Sequence, residues 1–90
     1  MAAAVLTLTN ARRELVTLEK CIADELSLPR SRVAAISNTP ASDITLIIYP
    51  EEEEVIPLNA NDIASKLNAA IQRGDAEKWT TSQDAKCEVR

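Results

Sequence analysis

Apolar and polar residues alternate along some stretches of the chain and recur every three or four positions along others. The central stretch runs from Arg32 to Tyr49 and reads Arg-Val-Ala-Ala-Ile-Ser-Asn, Thr-Pro-Ala-Ser-Asp, then Ile-Thr-Leu-Ile-Ile-Tyr. Two apolar runs around a cluster of turn residues predict a β-hairpin with a short loop. The second arm is β-branched at Ile44, Thr45, Ile47 and Ile48, which suits a pleated, half-buried surface. Alternation puts Ile44, Leu46 and Ile48 on one face and Thr45, Ile47 and Tyr49 on the other. In the first arm, Val33 and Ala35 alternate with Ala34 and Ile36. Pro40, Asn38 and Asp43 suit the turn, and Pro50 stops the second arm.

A hairpin is marginal in water by itself, so other elements must cover it. Two helical stripes flank it. The first is Ala11, Leu15, Leu18, Ile22 and Leu26, with Asn10 as the expected N-cap and Pro29 as the stop. Arg12 and Arg13 in its first turn oppose the helix dipole. The second stripe is Ile63, Leu67, Ala70 and Ile71. Asn59 is placed to cap it, Asp62 sits near its positive end, and Gly74 stands where a left-handed C-cap belongs. Before the first helix, Ala3 to Thr9 reads as a short strand with Ala4, Leu6 and Leu8 on one side. Val55, Ile56 and Leu58 are expected to tuck the preceding loop onto the body, and Trp79 to plug the core. Residues 1–80 are thus expected to form a single α+β domain, with 81–90 a tail or a short last strand between Lys86 and Val89. The order strand, helix, hairpin, helix and final strand predicts a two-layer ferredoxin-like sandwich, β-α-β-β-α(-β). Its antiparallel sheet carries both helices on one face.

Composition narrows the function classes. The chain has 90 residues, a net charge of -4 and no Phe. It lacks a basic tract and stacking aromatics, so no nucleic-acid partner is expected. No apolar stretch is long enough to span a bilayer, and Met1 to Thr9 is too short and too poor in basic residues for a secretory signal. Cys21 and Cys87 are expected to stay reduced, one a buried helix thiol and the other an exposed tail thiol. A reducing intracellular compartment is expected, with a cytoplasmic setting fitting best.

Reactive groups are scarce. There is no histidine, which removes imidazole acid/base work, triads and imidazole metal sites. Gly74 is the only glycine, too few for a phosphate-cradling loop. Glu51 to Glu54 are consecutive carboxylates whose side chains diverge, so a solvated loop is expected rather than a cation site. Asp24 and Glu25 belong on a solvated helix face. Neither thiol sits in a basic niche. We therefore expect no catalytic residues, no metal ligands, no cofactor and no enzymatic activity.

The run Leu-Pro-Arg-Ser-Arg-Val at 28–33, the arm ending Leu-Ile-Ile-Tyr-Pro at 46–50, and Asp-Ile-Ala-Ser-Lys-Leu at 62–67 followed by Trp79 form a recognisable pattern. It resembles the conserved module of kinetoplastid flagellum attachment zone proteins, over roughly Val5 to Trp79. The resemblance implies a compact α+β module of large cytoskeletal assemblies without catalytic residues. The element order is also similar to that of extracellular SEA-type domains. Their hairpin often carries a Gly-Ser pair for self-cleavage, whereas Ser42 here follows Ala41.

The leading expectation is a non-catalytic protein–protein interaction or assembly module of a cytoskeletal or flagellum-associated protein. Its partner is another protein or a second copy. The candidate surface is Ile47 and Tyr49 with Thr45, which cannot lie under the helices if Ile44, Leu46 and Ile48 do. The alternatives are an extracellular SEA-like structural domain, or a small thiol-dependent enzyme or regulator using Cys21.

Overall fold

The structure, a computed structural model, describes residues 3–11, 14–38, 43–51, 58–74 and 85–90. Strand β1 (Ala4–Leu8) leads to helix α1 (Leu15–Leu26) and a 3-10 turn at Arg30–Arg32. The hairpin strands β2 (Val33–Asn38) and β3 (Asp43–Ile48) follow, then helix α2 (Ala60–Arg73) and strand β4 (Cys87–Val89). The strands form one antiparallel sheet in the order β2-β3-β1-β4. The result is the expected two-layer α+β sandwich in β-α-β-β-α-β order, with the last strand present.

Register explains the core. β1 pairs with β3 so that Ala4 faces Ile48, Leu6 faces Leu46 and Leu8 faces Ile44. These residues alternate inward, and Leu6, Leu8, Leu46 and Ile48 have no exposed surface at all. Val33 and Ala35 continue the same face on β2, and Cys87 continues it on β4 beside Leu8. Leu18, Ile22 and Leu26 from α1 and Ile63, Leu67, Ala70 and Ile71 from α2 close the interior. Arg73 on α2 reaches Glu25 on α1 at 3.0 Å, a partly exposed pair between the helices.

The second helix begins and ends as its sequence demands. The Asn59 side chain accepts from the Asn61 and Asp62 amides at 3.0 and 3.2 Å. Gly74 ends the helix at φ 82°, a conformation that costs glycine little.

The first helix departs from the sequence expectation at its start and meets it at its end. Asn10 is no cap; it turns left-handed at φ 55°, and the helix starts at Leu15. Ala11 stays buried although it lies outside the helical stripe. The later start sets Glu14 at the positive end of the dipole. Thr17 Oγ1 donates to that carboxylate at 3.1 Å. At the other end, the helix stops before Pro29. Ser27 turns left-handed at φ 56°, and the Leu28 amide donates to Ala23 at 2.9 Å. This is a Schellman closure built without glycine.

The tail belongs to the body. Thr9 donates to the Lys86 carbonyl at 2.9 Å, Arg90 donates to Val5 at 3.0 Å, and Ala85 and Cys87 are core residues. Trp79, Val55, Ile56, Ser42, Arg12, Arg13 and Glu52 to Glu54 lie outside the described residues, so the readings made for them stay expectations.

Candidate interaction surface

Because both helices lie on one side, the other side of the sheet carries its own set of side chains. Register places Ile47 between Val5 on β1 and Ala34 on β2, and Thr45 between Thr7 and Ile36. Glu88 on β4 lies beside Thr7. The open face therefore mixes the apolar Ala34, Ile36, Ile47 and Val5 with Thr45 and Thr7, and carries the charge of Glu88 on β4. Ile36 is 49% exposed and Tyr49 46%, the two large apolar side chains that this side presents most fully. Ile47 is half-buried between its neighbours.

Of the three residues expected to form the patch, Ile47 and Tyr49 present surface and Thr45 does not. Thr45 points to the open side, yet it is only 5% exposed. Arg90 Nη1, from the residue just after β4, reaches across β1 to donate to its hydroxyl at 3.2 Å. The guanidinium thus reaches the centre of the face, as long charged side chains can over apolar surface. Ile36, by contrast, joins the patch. Its alternation within the first arm carried that signal, because it faces away from Val33 and Ala35.

Tyr49 is fixed by Arg32. Its amide donates to the Arg32 carbonyl at 2.8 Å, and Arg32 Nε donates to the Tyr49 carbonyl at 2.8 Å. Arg32 is itself buried, with Nη1 3.6 Å from the Glu51 carboxylate. Hydropathy alone gave no sign of this buried arginine, since its position reads as a polar turn before β2.

The sheet edges are occupied by side chains from the helices. On the β2 edge, the Ala35 amide donates to Glu19 Oε2 of α1 at 3.0 Å, and Arg30 holds the other carboxylate oxygen at 3.3 Å. On the β4 edge, the Asn68 amide of α2 closes on Cys87 from both sides. Its Nδ2 donates to the Cys87 carbonyl, and its Oδ1 accepts from the Cys87 amide, each at 2.8 Å.

The thiols reverse their expected roles. Both are free, but Cys21 is half-buried on α1 while Cys87 is buried in the core. Burial, and secondarily the charge of Glu88, pushes the Cys87 thiol from 9.0 up to about 12. A thiol so placed carries almost no thiolate at neutral pH and is a poor nucleophile. It lines a half-open cleft of about 320 Å³ between α2 and β4, together with Asn68, Ile71 and Lys86. A second cleft of about 430 Å³ is lined by Leu26, Leu28, Leu58 and Ile63 together with Asp62 and Lys66. Neither brings together a nucleophile, a base and an anion-stabilising group. Among the described residues, no three His, Cys, Asp or Glu side chains converge as metal ligands, and no helix is long and apolar enough to cross a membrane.

Compared with known proteins, the chain matches no family model, no curated protein and no solved structure, so its fold is identified from strand order and helix placement alone.

Proposed function

We propose that this domain is a non-catalytic protein–protein interaction module that binds through the open face of its sheet. The observation that carries the reading is the exposure of Ile36 and Tyr49 beside Ile47 on a face that neither helix covers. Four strands about 4.8 Å apart and roughly 17 Å long offer ~300 Å² of planar surface. A standard stable interface buries about 800 Å² per partner. The face alone therefore supports a transient contact rather than an obligate one. The charged row on β4, with Arg90 over Thr45, forms a polar rim to an apolar centre, the usual anatomy of such a surface.

The test is an Ile47→Asp, Tyr49→Asp variant, examined by circular dichroism, sedimentation and pull-down from native extract. A retained fold with lost association supports the face as the binding surface. A retained fold with unchanged association removes it. The cytoskeletal, flagellum-associated setting rests on the sequence resemblance alone. Co-sedimentation of the tagged chain with detergent-extracted cytoskeletons supports that setting, and recovery solely in the detergent-soluble fraction removes it.

A further inference from the structure

An antiparallel sheet of four strands has two edges, and each edge exposes backbone groups that could pair with another chain. On β2, the bond from Tyr49 to Arg32 fixes which residues face β3. Ala34 and Ile36 point their amides and carbonyls inward, and Val33, Ala35 and Ser37 point theirs outward. The Val33 amide is used by the Arg30 carbonyl, and the Ala35 amide by the Glu19 carboxylate. On β4, the bonds from Thr9 to Lys86 and from Arg90 to Val5 leave Cys87 and Val89 facing outward. Asn68 uses both backbone groups of Cys87.

Among the described residues, the outward amides left over are those of Ser37 and Val89, each near the far end of its strand. A strand ladder needs successive outward pairs, and on each edge one guarded position breaks the succession. At β2 the guard is also charged, so the carbonyl of an incoming strand would meet the Glu19 carboxylate.

We propose that Glu19 and Asn68 are edge guards that keep a second copy of this chain from adding its strand to the sheet. A second copy is the occupant to exclude, because β2 against β2 about a two-fold axis is antiparallel and self-complementary. Each guard comes from the helix packed nearest its edge, so the helices both roof the core and seal the sheet.

The test is the full chain with Glu19→Ala, followed by sedimentation velocity across a range of concentrations. The variant is expected to keep its circular dichroism spectrum and shift to twice the wild-type mass as concentration rises. Arg30→Ala, which removes the ion pair but not the acceptor at Ala35, keeps the wild-type mass. Adding Ala35→Pro to Glu19→Ala removes the outward amide and restores the wild-type mass, since proline is tolerated on an edge strand. A folded Glu19→Ala variant that sediments as wild type overturns the proposal, and so does a double variant that still associates. Should Glu19→Ala fail to fold, hydrogen exchange on the unaltered chain decides. The guarded Ala35 amide is expected to exchange at least about tenfold more slowly than Ser37, as one well-made hydrogen bond requires. Equal rates overturn the proposal.

Discussion

Replacing Asn68 by Ala is expected to loosen β4 and expose Cys87, and the size of the effect can be worked from the geometry. Asn68 makes two hydrogen bonds of 2.8 Å to Cys87, and β4 is only 3 residues long. Net contributions near 0.5–1.5 kcal/mol per bond give a loss of about 1–3 kcal/mol in the docking of this strand. Because 1.4 kcal/mol corresponds to a factor of ten, detachment becomes roughly 5- to 150-fold more frequent.

The assay uses the protein's own thiols. Cys87 is 2% exposed and its thiol is pushed up to about 12, so it reacts with a thiol reagent only after β4 lifts away. Cys21 is half-buried on α1, remote in sequence from the change, and serves as the internal standard. The labelling rate of Cys87 relative to Cys21 should rise by that factor in Asn68→Ala, accompanied by faster amide exchange at Cys87. An unchanged ratio would show that side-chain packing of Ala85 and Cys87 holds the strand, and that the amide clasp is incidental. Rapid labelling of Cys87 in the unaltered protein would refute the burial itself.

Further outcomes follow from the same structure. The contribution of Cys87 to stability should be flat with pH below about 9 and then fall, because its thiol ionises near 9.0 when unfolded but only at about 12 when folded. The unfolded state loses its proton first, so the slope approaches ~1.4 kcal/mol per pH unit in that window, and denaturant titrations of Cys87→Ala should show a shallower fall. Leu46→Ala should cost about 2–5 kcal/mol in urea unfolding, whereas Ile47→Ala, one residue along and on the open face, should cost well under half of that; comparable losses would contradict the assignment of faces. Asn59→Ala removes the acceptor of two amides and should cost about 1 kcal/mol by the same measurement. Ser27→Gly relieves a left-handed serine at φ 56° and should raise stability by ~0.5–1 kcal/mol, read as a higher midpoint in thermal melts.

The layer order and most of the core were legible because local pattern and global packing agree there. The inward set Ile44, Leu46 and Ile48 follows from a period of two, and the stripe from Ile63 to Ile71 from a period of 3.6, with Asn59 and Gly74 marking its ends. Legibility failed where a backbone choice depends on what lies far along the chain. Asn10 and Ser27 both adopt left-handed turns, which either residue can make without announcing it in sequence. Cys87 looked like a tail thiol because its strand is short and its burial comes from Leu8 and α2, more than fifteen residues away (Asn68 to Cys87 spans 19). At the candidate surface, alternation correctly separated Ile47 and Tyr49 from the core. It could not reveal that Arg90, distant from Thr45 by 45 positions, would lie over that hydroxyl.

The same distinction bears on where this domain can meet a partner. Sheet proteins commonly recruit partners by adding a strand, which trades on backbone groups and tolerates many sequences. Here Glu19 and Asn68 occupy the Ala35 amide and the Cys87 backbone groups, so the proposed interaction rests on side chains of the open face rather than on an added strand. Side-chain recognition is selective but limited by area, and this area is small. Affinity would then depend on a few residues at its centre, with Ile47 flanked by Val5 and Ala34, and Ile36 and Tyr49 as the projecting anchors. The rim residue Arg90 adds a further constraint, because a partner that needs the Thr45 hydroxyl must compete with the guanidinium bonded to it. On the proposed reading, the partner that fits is one whose apolar ridge runs along β2 and β3 and stops short of β4.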